Sequence, residues 1–170
     1  IGSIEEHEGY YPETYALAVS SDGYAQCFGL SPFVEPSTRS GRKFARPKGE
    51  ARIVGVGIVH GDESIIAASQ GRRALICKVE EVNYLSGAGR GVMLMKLGND
   101  DSIVGFCVSR SDNDALTLKT SMGGTQRISL NKYDPTGRGG KGREVIKRGN
   151  FVEVVQEPPK SPKPLNEAEG

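Results

Sequence analysis

The chain has 170 residues, of which 36% are hydrophobic and 23 are glycine, with no tryptophan and a formal net charge of +1. This composition fits one domain, or a few stacked repeats, whose core is built from short aliphatic segments between many turns. No run of about 18 apolar residues is present, which excludes a membrane-spanning helix. No secretory signal is visible and the first residue is Ile1, so we expect a piece of a longer protein.

The cysteines and histidines give no sign of a metal or cofactor site. Cys27, Cys77 and Cys107 are far apart and lack metal-ligand spacing, so we predict buried, reduced thiols in a cytoplasmic protein. His7 lies among acids but has no second histidine nearby, which disfavours a metal site. We therefore expect neither a metal nor a cofactor.

Charge is unevenly distributed along the chain. Residues 1–37 have a net charge of −6, residues 38–148 of +9 and residues 149–170 of −2. A basic body between acidic ends suggests a surface that binds a polyanion, although solvated basic loops would give the same pattern.

In chain order, residues 1–13 fit no repeat and are predicted to be a leader or linker. Short apolar runs that end in Gly or Asp then predict strands rather than helices. The predicted strands are Tyr15–Ser20, Tyr24–Phe28, Ile53–Val59, Ser64–Ser69, Arg73–Val79, Val92–Leu97, Ile103–Val108, Ala115–Thr120, Thr125–Leu130, Val145–Lys147 and Phe151–Val155.

Two sets of markers repeat with a period of about 50 residues. The turn glycines Gly23, Gly71 and Gly123 form one set, and the segment Ile53–Gly55 recurs as Ile103–Gly105. This period is the length of a four-stranded propeller-type blade. We predict an all-β, propeller-like stack of three four-stranded units, at residues 14–63, 64–114 and 115–157. Residues 158–170 are proline-rich and are predicted to be a disordered tail.

A glycine- and base-rich segment also recurs once per unit. Its best copy runs from Thr136 to Arg143, and degenerate copies lie at residues 38–44 and 86–92. We align the copies on Gly41, Gly89 and Gly139. We call the segment the box; its core consists of Thr136, Gly137, Arg138, Gly139, Gly140, Lys141 and Gly142.

The box contains the string G-x-G-x-x-G, yet the surrounding sequence excludes a nucleotide site. A dinucleotide fold needs a strand before the glycines and a helix after them. Here Asp134-Pro135 interrupts the preceding segment, and Gly149 ends the following one within a few residues. A phosphate-binding P-loop also fails, because Gly142 stands where Ser or Thr is required.

Three loops of small residues and cations at equivalent positions would instead line one rim of the stacked units. Glycine allows close approach to a phosphate, and arginine offers a planar fork for its oxygens. Duplex DNA presents a regular track of such phosphates. The candidate DNA-binding residues are Arg39, Arg42, Lys43, Arg46, Lys48, Arg72, Arg73, Arg90, Arg138, Lys141 and Arg143. The alternative is that the glycines form tight turns and the bases only keep them solvated.

No catalytic constellation is apparent. His7 and His60 have no nearby nucleophile, and the acid pairs Glu80-Glu81 and Asp100-Asp101 have the character of turn charges. We predict no catalysis within this chain.

The box resembles that of the C-terminal DNA-wrapping domain in the A subunit of bacterial type IIA topoisomerases, DNA gyrase and topoisomerase IV. That family carries Gln-Arg-Arg-Gly-Gly-Lys-Gly, and residues 138–142 match its last five positions, whereas Thr136 and Gly137 differ from the first two. The resemblance extends over residues 15–157.

The resemblance implies a β-pinwheel, a propeller-like disc whose blades exchange strands and whose basic rim bends duplex DNA. The implied partners are DNA, the same A subunit's catalytic core and, through the parent enzyme, the ATPase B subunit. The parent would be an ATP-hydrolysing isomerase associated with the nucleoid, and its catalytic tyrosine would belong to the core. Gyrase and topoisomerase IV both remain open.

Two other functions also remain open. The blades could form a protein-interaction propeller in which the bases are incidental. They could also form a regulatory pinwheel that is separate from any topoisomerase.

Overall fold

The computed structural model describes residues 14–37 and 39–156. Within these ranges the chain is almost wholly β, with two single-turn 3-10 segments at Ser31–Phe33 and Val79–Glu81. The strands are β1 (Tyr15–Ser20), β2 (Tyr24–Gly29), β3 (Ile53–Val59), β4 (Ser64–Ser69), β5 (Arg73–Lys78), β6 (Val92–Met93), β7 (Ile103–Ser109), β8 (Ala115–Thr120), β9 (Thr125–Ser129), β10 (Arg143–Glu144) and β11 (Phe151–Val154).

The strands form three antiparallel sheets, which confirms the all-β, propeller-like prediction. The orders are β3-β1-β2-β6, β10-β5-β4-β7 and β11-β8-β9. Each sheet is centred on a hairpin, namely β1-β2, β4-β5 or β8-β9. We call the sheets blades 1, 2 and 3.

Neighbouring blades exchange a strand. The outer strand of blade 1 is β6, which follows blade 2's own hairpin in sequence and pairs with Tyr24 and Ala25 of β2. The outer strand of blade 2 is β10, which pairs with Arg73 and Ala74 of β5. Each four-stranded blade is therefore completed by the following unit, so sequence units and blades do not coincide.

Three details of the predicted strands are wrong. Only two residues of Val92–Leu97 form a strand, because the backbone N–H groups of Leu94 and Met95 both turn to the carbonyl of Gly23. The segment 145–147 is not a strand, and the neighbouring Arg143–Glu144 takes that role. Blade 3 has three described strands rather than four.

The hairpin turns differ from the predicted glycine series. Gly23, Arg72 and Gly123 have φ values of 85°, 73° and 90°, and Arg72 is the single non-glycine residue with positive φ among those described. Gly71, which the sequence pattern selected, lies one residue before the left-handed position. The turn of blade 2 thus uses arginine where the other two use glycine.

The blades stack face to face on apolar side chains. One buried cluster joins blades 1 and 2 and includes Leu17, Val19, Ile65 and Leu75. A second joins blades 2 and 3 and includes Ile66, Ile76, Leu116, Ile128 and Phe151. Because successive side chains of a strand point to opposite faces, β4 contributes Ile65 to one cluster and Ile66 to the other.

The strands β3, β7 and β11 form the inner edges of the three blades and lie side by side around a cavity of about 610 Å³. Glycines on one inner strand accept side chains from the next. A Cβ at Gly55 would lie 3.0 Å from the ring of Phe106, and one at Gly105 would lie 2.2 Å from Val154. This contact explains why glycine recurs in the repeated Ile-Val-Gly segment.

The outer faces of the two end blades differ in chemistry. On blade 1, Ala16, Ala18 and Phe28 form a small apolar cluster that Leu30 and Phe44 cover. On blade 3, the outer face carries Lys119 and Glu153, whose side chains form an exposed ion pair. A polar outer face is typical of the end of a repeat stack.

The predicted blade limits at residues 14–63, 64–114 and 115–157 remain predictions. The predicted leader (1–13) and tail (158–170) lie outside the described residues. No helix in the described part of the chain is long and apolar enough to cross a membrane.

Candidate nucleic-acid interface

The box loops of units 2 and 3 lie at the outer edges of blades 1 and 2, directly before the exchanged strands. Gly91 (φ 81°) precedes β6 and Gly142 (φ 73°) precedes β10. Their backbones approach blade strands so closely that an added Cβ would lie 2.0 Å from the Ala25 carbonyl oxygen and 2.5 Å from that of Ala74. These positions require glycine for both φ and space.

This geometry corrects the alignment of the box copies. Gly91 and Gly142 are equivalent in the structure, whereas the sequence alignment pairs Gly89 with Gly139. Gly41, with φ 67°, precedes the corresponding part of unit 1. The structural series is therefore Gly41, Gly91 and Gly142.

The box loops of units 2 and 3 also bond to the backbone of the preceding unit. Arg46 donates its backbone N–H to the carbonyl of Gly89 at 2.7 Å, and Lys96 donates its own to Gly140 at 2.8 Å. The backbone N–H of Gly139 bonds the Leu94 carbonyl at 2.7 Å. These bonds place successive box loops along one continuous outer edge, which we call the rim.

The corrected alignment brings out a row of cations, one per unit. Arg46, Lys96 and Lys147 each lie five residues after a series glycine. All three are exposed, and their side chains have no hydrogen bond or ion pair to any described residue. Sequence reasoning found Arg46 but missed Lys96 and Lys147. The correct register of the glycines would have identified both.

Several other predicted cations are also exposed and have no side-chain partner in the described ranges. In unit 1 these are Arg39, Lys43 and Lys48, and in unit 3 they are Lys141 and Arg143. They flank the row of Arg46, Lys96 and Lys147 in sequence and are available to bind an anion.

The remaining predicted arginines bind the protein's own backbone or side chains. Arg42 donates to the Pro32 carbonyl at 2.7 Å and Arg72 to that of Lys147 at 3.0 Å. Arg73 donates to Gly142 and Arg138 to Met93, both at 2.9 Å. Guanidinium groups have several donors, so these bonds fix the arginines without using all of them.

Arg90 is the most constrained of the predicted arginines. Its guanidinium carbon lies 3.6 Å from the centroid of the Tyr24 ring, and its Nη2 is 2.9 Å from Oδ2 of Asp22. Arg90 therefore ties the box loop of unit 2 to the hairpin of blade 1.

The best-matching box copy is held in place by blade 2. The backbone N–H groups of Thr136 and Gly137 both point to the Ile76 carbonyl, at 2.9 and 3.3 Å. The backbone N–H of Arg138 donates to Oε2 of Glu81 at 3.0 Å. This hydrogen bond, together with one from the Lys78 backbone N–H, lowers the pKa of the Glu81 carboxyl.

The acidic and histidine residues between blades 1 and 2 form a structural cluster. The Glu63 carboxylate is almost fully buried and accepts hydrogen bonds from the backbone N–H groups of His60 and Gly61 at 2.8–2.9 Å. Burial alone would raise the pKa of Glu63, but the hydrogen bonds from His60 and Gly61 outweigh it and lower that pKa to about 2. Glu63 is thus a charged turn anchor.

The cysteines are protonated thiols of low reactivity. Cys27 and Cys77 are buried, Cys107 is half-buried, and all three are free thiols. Burial raises the pKa of each to about 12, which disfavours the reactive thiolate. Within the described residues no group of three or more His, Cys, Asp or Glu side chains is arranged to hold a metal ion.

Comparison with known proteins finds relatives of one kind. A family model described as the DNA gyrase C-terminal domain, β-propeller, matches residues 63–106 and 127–151. The chain is 28% identical over 159 residues to the A subunit of DNA gyrase from Mycolicibacterium smegmatis, and 24% identical over 136 residues to the A subunit of DNA topoisomerase 4 from Bacillus subtilis strain 168. These alignments cover 89% and 80% of this chain but only 18% and 17% of the relatives.

Solved structures show the same fold. The C-terminal domain of DNA topoisomerase IV superposes with a TM-score of 0.75 at 18% identity, covering 88% of this chain and 48% of that one. The DNA gyrase A C-terminal domain superposes with a TM-score of 0.69 at 21% identity, covering 86% and 50%. The chain thus spans about half the length of these domains.

Proposed function

This chain resembles the DNA gyrase C-terminal β-propeller domain over residues 63–106 and 127–151 and has the fold of such domains, and we propose that it binds duplex DNA along its rim and bends it. The observation that carries the proposal is the row of Arg46, Lys96 and Lys147. These cations recur once per unit and are exposed, and their side chains donate no hydrogen bond to any described residue.

A row of this kind suits the phosphate backbone rather than the bases. Cations on loops that recur once per unit can contact phosphates without reading the base sequence. The neighbouring cations Arg39, Lys43, Lys48, Lys141 and Arg143 widen the positive strip. Binding should therefore be sequence-independent and weaken steeply with salt.

Bending has a cost that the rim must offset. Smoothly bending a site of 20–30 base pairs by 40–90° costs roughly 1–6 kcal/mol. A few phosphate contacts supply free energy of this order at low salt, so weak binding and a modest bend are expected together.

The proposed place of this domain is within a longer enzyme. In the parent A subunit the bent duplex would be presented to the DNA-cleaving core, and the ATPase B subunit would act through that core. The chain itself would contribute no catalytic group and bind no cofactor, and the parent would work at the nucleoid in the cytoplasm.

The decisive experiment is a salt series of duplex binding. The variant Arg46→Ala/Lys96→Ala/Lys147→Ala is compared with Lys119→Ala/Arg127→Ala/Lys132→Ala, which removes the same charge from blade 3 and its following turn. Each lost phosphate contact reduces the slope of log K against log salt by about 0.9. We expect the magnitude of this slope to fall by about 2.7 in the rim variant and to change little in the control. Circular dichroism should show that both variants are folded.

Equal slopes in both variants would overturn the rim assignment. Absence of duplex binding at low salt would overturn the function and favour a protein-interaction propeller. Energy transfer between dyes at the ends of a duplex of about 30 base pairs tests bending separately, because an unbent duplex in a saturated complex contradicts bending but not binding.

A further inference from the structure

A second concave site lies at the open end of blade 1. It is a cavity of about 600 Å³ between the 3-10 turn Ser31–Phe33 and the box loops of units 1 and 2. Pockets for small ligands usually have volumes of about 300–1,000 Å³. The cavity is therefore large enough for one ligand.

One wall of this cavity is aromatic. Phe28 stacks on Phe44 with a centroid distance of 5.0 Å and an interplanar angle of 20°, and Phe33 meets Phe28 edge-on at 5.8 Å. Tyr84 also lines the cavity. Phe33 keeps 37% of its surface exposed, although it is a large apolar side chain. Its ring is available to stack against a planar group.

Cations also line this cavity. Lys43 and Arg46 line it, and neither side chain has a partner among the described residues. Arg42 also lines it, and its bond to the Pro32 carbonyl joins the basic loop to the turn that carries Phe33. The basic loop is thus tied to the turn that carries one of the aromatic rings.

We propose that this cavity binds an unpaired nucleotide, with its base on the aromatic wall and its phosphate on Lys43 and Arg46. A ligand that combines a planar ring with a negative charge would contact both the aromatic wall and the cations. Single-stranded nucleic acids are held by this combination of aromatic stacking and cations. A base paired within a duplex cannot enter a concave site without leaving its partner.

The position of the cavity favours a nucleotide within a strand over an isolated one. Arg46 belongs both to the cavity and to the rim, so a strand with one base in the cavity continues toward the other rim cations. This step rests on the proposed function, whereas the cavity itself does not. Single strands test the cavity and duplexes test the rim, so the two proposals can fail independently.

The probe is a ten-nucleotide thymidine strand with one central 2-aminopurine, whose fluorescence is quenched on stacking. We expect quenching with the strand and little with the same fluorophore centred in a fully paired duplex. Phe33→Ala should weaken strand binding by about 5- to 150-fold, the range for one lost stacking contact. Val34→Ala is the matched control, because Val34 is 72% exposed and does not line the cavity.

A second pair of variants tests the charge without touching the aromatic wall. Lys43→Ala should lower the salt slope for the strand by about 0.7, whereas Lys132→Ala, which lies outside both the cavity and the rim, should leave that slope unchanged. Competition by deoxyadenosine monophosphate at an affinity equal to that of the strand would overturn the preference for a strand and assign the site to free nucleotides.

Three further results would overturn the proposal: no quenching with the strand, equal quenching with the duplex, or equal effects of Phe33→Ala and Val34→Ala. Failure here with intact, salt-dependent duplex binding leaves the rim function standing. Loss of duplex binding with retained quenching contradicts the rim instead.

Discussion

Gly105 of β7 lies directly against Val154 of β11, so that a Cβ on Gly105 would be 2.2 Å from Val154 Cγ2. The same relationship recurs one blade earlier between Gly55 and Phe106, at 3.0 Å. The inner edges of the blades therefore pack by placing a side chain of one strand over the bare backbone of the preceding one.

The first prediction follows from this contact. Gly105→Ala should destabilise the protein by about 1–3 kcal/mol, since overpacking forces side chains or backbone to shift. Urea denaturation measures the change. Gly98→Ala is the control, because no atom lies within 4 Å of its added Cβ. Adding Val154→Ala should recover part of the loss, and a double variant no better than Gly105→Ala alone would contradict the packing explanation.

The second prediction concerns the left-handed turn at Arg72, whose φ is 73°. Arg72→Ala and Arg72→Gly both remove the hydrogen bond to the Lys147 carbonyl, but only glycine also relieves the backbone strain. Arg72→Gly should therefore be more stable than Arg72→Ala by about 1 kcal/mol. At Arg52, where φ is not positive, the order should reverse. Thermal unfolding of the four variants gives the comparison, and the same order at both sites would exclude strain as the cause.

Much of this fold could be predicted from sequence because its markers are local. Short apolar runs between turns located nine of the eleven strands closely, among them β4 at Ser64–Ser69 and β8 at Ala115–Thr120. The period of about 50 residues indicated the blades. Which strand completes which blade could not be predicted, because β6 and β10 are two residues long and pair with a hairpin of the preceding unit.

The site was harder to predict than the fold for a related reason. Glycines are so frequent in the box that three copies can be aligned in more than one way, and the sequence alignment uses Gly89 where Gly91 has the positive φ. That shift hid Lys96 and Lys147. Composition likewise could not distinguish a free cation such as Lys141 from Arg90, which is bound to Asp22 and Tyr24.

The third prediction separates these two kinds of cation. Arg90→Ala should reduce the free energy of unfolding by about 1–2 kcal/mol, because it removes a cation–π contact and a partly exposed ion pair. Arg46→Ala should change stability by less than about 0.5 kcal/mol, as expected for an exposed side chain without partners, yet lower the salt slope of duplex binding by about 0.9. Urea midpoints and binding isotherms test both. Unchanged stability of Arg90→Ala, together with a reduced salt slope, would make Arg90 a rim contact.

The fourth prediction is a pH dependence of stability that comes from Glu63. Its pKa is about 2 in the folded protein against 4.5 for an ordinary glutamate, so the folded state favours the carboxylate. The resulting stabilisation is fully present above the unfolded pKa and is lost as pH falls from about 4.5 toward 2. A difference of this size corresponds to about 3 kcal/mol.

The measurement is the free energy of unfolding of wild type and Glu63→Gln between pH 7 and pH 3. Glutamine keeps the shape of the side chain but lacks the charged carboxylate that accepts hydrogen bonds from the backbone N–H groups of His60 and Gly61. The wild-type advantage should be largest near neutral pH and should shrink below pH 4.5, because Glu63 then takes up a proton in the unfolded chain while it stays charged in the folded protein. Glu80→Gln is the control, because Glu80 is exposed and has no side-chain partner among the described residues. An advantage that stays constant over this range would mean that shape, rather than charge, makes Glu63 the anchor of its turn.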